Sequence, residues 1–313
     1  MIDRILDIAA TPARLSVSNS LLVVEVGNSK ETVPLHNLGA VVVSCPGVTY
    51  TQAVLAGLAG AGVPFICCDA RHQPVGMLLP LTDNSVQAER FRRQADLNLP
   101  TRKRLWQQLV RAKVLAQAAA VRRLGGDGTR LAALAGRVRS GDPDNVEAQA
   151  ARLYWPLCFG SDFTRDRDSG GVNARLNYGY AILRAMVGRA VCGAGLHPSL
   201  GLHHHNRYDA FCLASDMMEP FRPLVDTVVA GMEPCGPGAE LDGAAKRALL
   251  EGVCGRFAVE EEARTLWDIV TRACSSLAGV VGGARRGLWL PPVEPLCGCG
   301  PQMDGLDDDG DAA

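Results

Sequence analysis

The sequence predicts an α+β fold, with a small N-terminal β-rich domain followed by a larger all-α domain. Residues 14 to 45 carry short β-branched and alternating runs punctuated by turn residues. Beyond about residue 83 the texture changes to long segments rich in Ala, Leu and Arg, with apolar residues at helical spacing. A length of 313 residues exceeds a typical single domain, so two cores are expected. The boundaries that follow are 1–82 for the β-rich domain, 83–290 for the helical domain and 291–313 for an acidic, disordered tail.

In the first domain Leu15–Ser18 alternates, Leu21–Val26 is apolar and β-branched, and Gly27-Asn28-Ser29 turns the chain into Glu31–Leu35. Val41–Val43 reads as a buried strand, Thr51–Ala61 as a helix capped by Thr49 or Thr51, and Val63–Cys68 and Val75–Leu79 as further strands. No residue here suggests chemistry; His36 and His72 stand alone and read as structural or surface residues. Helices then follow. Asn84 and Gln87 resemble a capping box, and Thr101 opens a long helix with a stripe of Leu105, Trp106, Leu109 and Val110. Asp142-Pro143 starts the helix that carries Glu147, and Gly171–Tyr180 begins another that runs to about Cys192. Two more helices are expected near Gly238–Gly255 and Val259–Leu277.

A net charge of −1 hides an asymmetry: residues 81–140 carry +9 and residues 191–313 carry −9. That distribution suits a polyanion bound on one face, with Arg92, Arg93, Arg102, Lys103 and Arg104 on the basic side. The bland reading of those arginines is a solvated helix face. Eleven cysteines lie in apolar contexts without a CxxC pair, which points to reduced thiols in a cytoplasmic protein. The N-terminus lacks the pattern of a signal peptide. The longest apolar run, Ala53–Cys68, is shorter than the ~20 residues of a membrane span.

The stretch with most chemistry is Gly201–Asp226, GLHHHNRYDAFCLASDMMEPFRPLVD. Three histidines precede Asp216 and Glu219, which at three residues apart share one helical face and can point at the same object, so the stretch reads as a metal site. Glu147 sits among alanines ahead of Leu153-Tyr154-Trp155; taken alone it reads more readily as exposed than as inward-facing. Arg165 and Arg167 can clamp phosphates or pair with Asp166 and Asp168.

The run NARLNYGYAILRAMVGRAV…GLHPSLGLHHHN…FCLASDMMEPFRPLVD resembles the CRISPR-associated endonuclease and integrase of the adaptation step, in the branch that accompanies the single-protein effector nuclease (type II). The opening DRILDIAATPARLSVSNSLLVV, the Lys113/Gln117 spacing in VRAKVLAQ and Glu147 within EAQAARLYW also fit, so the likeness spans all but the tail. The resemblance implies a metal held by Glu147, His204 and Glu219, with Asp216 assisting. His204 is selected over His203 and His205 because the family's histidine follows a glycine and two further residues. It also implies a catalytic, metal- and DNA-binding helical domain and dimerisation through the β-rich domain. The implied partners are a small companion adaptation protein in a heterohexameric complex and the type II effector nuclease.

Two carboxylates and an imidazole suit Mg²⁺ or Mn²⁺. The implied reaction is attack of a DNA 3′-hydroxyl on a phosphodiester of the repeat, or endonucleolytic hydrolysis when water replaces the hydroxyl. Arg165, Arg167 and the basic surface would hold double-stranded DNA through its phosphates. Two rival readings are a stand-alone metal-dependent phosphodiester hydrolase and a non-catalytic DNA-binding scaffold.

Overall fold

The computed structural model describes residues 4–9, 11–69, 74–80, 84–236 and 238–295. His72, the domain junction at 81–83, Cys297, Cys299 and the acidic tail from residue 296 onward lie outside the described residues.

The β-rich part contains β1 (Arg4–Ile8), β2 (Arg14–Ser18), β3 (Leu21–Val26), β4 (Ser29–Pro34), β5 (Leu38–Val43), β6 (Thr49–Tyr50), α1 (Gln52–Gly60), β7 (Phe65–Cys68) and β8 (Pro74–Leu78). They form two four-stranded sheets, β1-β5-β7-β8 and β4-β3-β2-β6. In the first sheet β5 runs parallel to both β1 and β7, and β8 closes the edge antiparallel to β7. Because successive side chains in a strand face opposite ways, this sheet is a shared wall. Ile8, Val41, Val43 and Phe65 join Leu15, Leu22, Val54 and Leu58 in the core of the β-rich part. Ile5, Ala40, Val42 and Ile66 face the helical core instead.

The helical part follows as α2 (Gln87–Ala95), α3 (Leu99–Arg123), α4 (Thr129–Ala135), α5 (Val146–Phe159), α6 (Val172–Gly193), α7 (Cys212–Met218), α8 (Arg222–Ala230), α9 (Gly243–Val253) and α10 (Leu266–Val281). Helix α6 is the central post, with most of its length buried. Its Arg189 donates to the carbonyls of Leu38 and Gly39 (3.2 Å each), and Tyr178 donates to Asp7 at 3.2 Å, tying the two parts together.

The class and the order of domains are those expected from sequence, with one addition. Between α9 and α10 the chain makes a hairpin of β9 (Arg256–Val259) and β10 (Glu262–Thr265), where one helix was expected from Val259. β11 (Glu294–Pro295) pairs with β9, so the first residues beyond 290 take part in the fold. The nine described cysteines are in the thiol form, buried or half-buried. Among the described residues no helix is long and apolar enough to cross a membrane.

Candidate metal centre

Four segments meet at the site. The first is α3, which starts at Leu99 rather than at Thr101, because the Asn98 side chain accepts the Thr101 N–H (2.9 Å) and Pro100 needs no partner in the first turn. Lys113 lies one turn after Leu109 and one turn before Gln117, both buried, so its side chain is carried inward and is 13% exposed. It is therefore not part of the basic outer surface.

The second is α5. Asp142 was expected to cap it directly, but Asp142 and Asn145 both adopt φ near +50° and the helix begins at Val146. Asn145 caps the Ala148 N–H, while Asp142 accepts from the Val146 and Glu147 N–H groups at 2.9 and 3.0 Å. Glu147 is thus fixed in the first turn, where its carboxylate meets Lys113 Nζ at 2.6 Å.

The third is the loop after Leu200, organised by the fully buried Asp216 of α7. Asp216 accepts the N–H groups of Leu202 (2.6 Å), His203 (3.0 Å) and His204 (3.2 Å), and its Oδ1 lies 2.6 Å from His204 Nδ1. Only glycine fits at 201: a Cβ there would stand 2.1 Å from the His204 carbonyl oxygen. The three histidines part company here. His203 stacks on Trp106 with ring centroids 4.2 Å apart, and exposed His205 turns to the His203 carbonyl. Only His204 puts a ring nitrogen on a buried carboxylate.

The fourth is the turn from α7 to α8. Pro220 and Pro223 supply no N–H for a continuous helix, and Glu219–Phe221 forms a 3₁₀ turn. Asp216 and Glu219 consequently contact different groups: Asp216 faces the histidine loop, while Glu219 Oε2 lies 2.5 Å from Lys113 Nζ and Oε1 lies 3.2 Å from Arg222 Nε. Both Glu219 contacts are ion pairs, and neither Oε2 nor Arg222 Nε has a further hydrogen-bond partner among the described residues.

The charges follow from these contacts. Burial opposes ionisation of Glu219, but Lys113 and then Arg222 outweigh it and hold its pKa below the usual carboxylate value. Burial also works against the Lys113 ammonium, yet Glu219 and Glu147 leave its pKa raised. The hydrogen bond to Asp216 raises His204.

Two carboxylates already converge on one cation, and the buried Glu219 oxygen has no hydrogen-bond partner beyond that cation among the described residues. His204 is held at Nδ1, which leaves Nε2 for a ligand. This donor set fits a hard divalent ion. As the side chains stand, no three His, Cys, Asp or Glu groups among the described residues surround one ion position; Lys113 lies between the two glutamates.

The expected DNA-contacting residues divide. Arg92, Lys103, Arg104 and Arg167 are exposed and make no ion pair among the described residues. Arg93 pairs with Glu89 (2.7 Å) and donates to the Gly282 carbonyl; Arg102 is committed to the Gly201 carbonyl at 2.7 Å. Arg165 is no free clamp and pairs with neither aspartate side chain. It donates to Asn173 (2.9 Å) and Asn177 (2.6 Å) and lies over the Tyr180 ring.

Sequence reasoning missed Lys113 and Arg222 as site cations, although a lysine on the buried stripe of α3 is a readable signal. It also missed the buried cluster beneath the site, in which Tyr154 (2.9 Å) and Tyr180 both donate to Asp226, with Arg222 over the Tyr180 ring.

Residues 6–233 match the family model described as CRISPR associated protein Cas1. The chain is 36% identical over 287 residues to the CRISPR-associated endonuclease Cas1 of Neisseria meningitidis serogroup C (strain 8013), covering 90% of this chain and 94% of that protein. Among solved structures it resembles a casposase bound to integration product, with a TM-score of 0.73, 17% identity and coverage of 91% and 92%. It also resembles a chain of a Cas6-RT-Cas1–Cas2 complex, with a TM-score of 0.72 and 19% identity, covering 92% of this chain and 36% of that one.

Proposed function

Because the chain belongs to the Cas1 family of CRISPR-associated endonucleases, we propose that it is a metal-dependent integrase and endonuclease of CRISPR adaptation. In this reading it joins the 3′-hydroxyl ends of captured DNA into the repeat array by transesterification, a hydrolase of ester bonds when water is the acceptor. The carrying observation is the convergence of Glu147 and Glu219 on one cation, 2.6 and 2.5 Å away, beside an oriented His204.

Glu147, His204 and Glu219 would hold Mg²⁺ or Mn²⁺, which when bound supplies polarisation of the phosphoryl oxygen and activation of the attacking hydroxyl. The chain's own contribution is preorganisation. Asp216 accepts the proton at His204 Nδ1 and so keeps the Nε2 lone pair available. Lys113 and Arg222 keep buried Glu219 ionised. Exposed Arg92, Lys103, Arg104 and Arg167 supply phosphate contacts that position DNA without reading sequence.

A single site of this kind acts on one phosphate, and joining both ends of a fragment needs two active subunits. This argues for a homodimer, formed through the β-rich domain, and for bridging by a Cas2-type companion in a heterohexamer, with the type II effector nuclease as a further partner. A chromosomal repeat array as target places the protein in the cytoplasm.

The test is a joining assay with half-site repeat DNA, a duplex bearing a 3′-hydroxyl, and Mn²⁺ or Mg²⁺. Glu147→Ala, His204→Ala and Glu219→Ala should each lose more than the roughly 10–100-fold typical of outer-shell changes, with duplex binding retained. Hydrolysis confined to small phosphodiesters, or joining at the parental rate by Glu219→Ala, would overturn the reading.

A further inference from the structure

We propose that Lys113 is the resident cation of this site, an internal counter-ion that a divalent metal must displace before the site is competent. The inference rests on the metal-centre reading above and adds to it a competition between two cations for one pair of carboxylates.

Three observations carry it. Lys113 Nζ lies 2.6 Å from Glu147 Oε1 and 2.5 Å from Glu219 Oε2, so one ammonium bridges carboxylates from two different helical segments. Its side chain is 13% exposed and that of Glu219 only 5%, so neither charge is dissolved by bulk water. The Glu219 oxygen facing it accepts no hydrogen bond from any other described group, so Lys113 is what balances its charge.

Two carboxylates brought together in a half-buried site repel each other and lose hydration. Lys113 offsets both costs and keeps Glu147 and Glu219 assembled without metal. A divalent ion entering between them loses the attraction that Lys113 already satisfies and is repelled by the ammonium if it stays. Lys113 therefore sets the metal concentration at which the site fills and protects the assembled carboxylates below it.

The chain has four lysines, Lys30, Lys103, Lys113 and Lys246. That number makes residue-resolved acetylation of the full-length wild-type protein a direct readout. Lys113 should be protected without metal and acetylated severalfold faster once Mn²⁺ saturates the protein, while exposed Lys30 serves as the unchanged reference. In parallel, Lys113→Met should bind Mn²⁺ roughly tenfold or more tightly than the parent and melt lower without metal. Lys113→Arg, which keeps the charge, should stay near the parental affinity. Lys113 protection unaffected by saturating Mn²⁺, or Mn²⁺ affinity unchanged or weakened in Lys113→Met, would overturn the proposal. The wild-type experiment stands even if Lys113→Met does not fold. A wild-type protein that binds no Mn²⁺ would instead sink the metal-centre reading.

Discussion

Asp216 shows how one side chain sets the chemistry of another. It is fully buried and accepts three consecutive N–H groups as well as the proton at His204 Nδ1. Replacing it by asparagine turns one acceptor into a donor aimed at these donors, which costs about 1–3 kcal/mol in unpaired groups and releases the imidazole from its tautomer. Asp216→Asn should therefore lower the melting temperature and reduce Mn²⁺ affinity or joining rate by roughly 10–100-fold. Parental values for both in a metal titration and a joining assay would refute the orienting role. The residue-level reading of the sequence went part of the way. Spacing put Asp216 and Glu219 on one face, but Pro220 and Pro223 break the helix and send them to different partners. Lys113 counts in the sequence for its spacing to Gln117 and not as a site cation, because it sits among arginines, whereas the period of α3 places it with buried Leu109 and Gln117.

Helices α5, α6 and α8 are joined beneath the site by the tyrosine–aspartate cluster. Tyr154 and Tyr180 donate to Asp226, whose carboxyl is pushed up to about 6, chiefly by burial and against the two hydroxyls and Arg222. A folded-state pKa above the unfolded value means that the native state holds the proton more tightly. The stabilisation is full below about pH 4 and lost as pH rises through about 6. For a group this deeply buried the change is of order 3 kcal/mol. The difference in unfolding free energy between the parent and Asp226→Asn should shift by that order between pH 4 and 7, with the parent losing relative stability as pH rises. A pH-independent difference in denaturant titrations would contradict it. At this scale the long helices were legible because their apolar period is sustained over many residues. The β9–β10 hairpin was not: its turn is Glu260-Glu261, both at positive φ, without the Asn, Asp or Gly that announces such a turn. The start of α5 was misplaced for a related reason, since Asp142-Pro143 looks like a cap and Asn145 caps from an equally unusual φ.

Over the whole molecule the division of charge has a measurable consequence. The +9 of residues 81–140 is not all available to DNA, because Lys113 is committed to the site, Arg102 to the Gly201 carbonyl and Arg93 to Glu89. Exposed Arg92, Lys103 and Arg104 stay available to solvent, with Arg167 on the loop before α6. Each contact of this kind that neutralises a phosphate releases counter-ions and adds about 0.9 to the slope of log affinity against log salt. Replacing Arg92, Lys103 and Arg104 together by alanine should therefore flatten that slope for duplex DNA by up to about three. The weakening should be similar on repeat and unrelated sequences. Surface residues without ion pairs contribute little to folding, so the melting temperature should hold within the small change usual for surface substitutions. Fluorescence anisotropy between roughly 50 and 200 mM salt reads the slope directly. An unchanged slope would place the DNA on another face of the molecule and leave these residues as a solvated helix surface, without touching the assignment of the metal ligands.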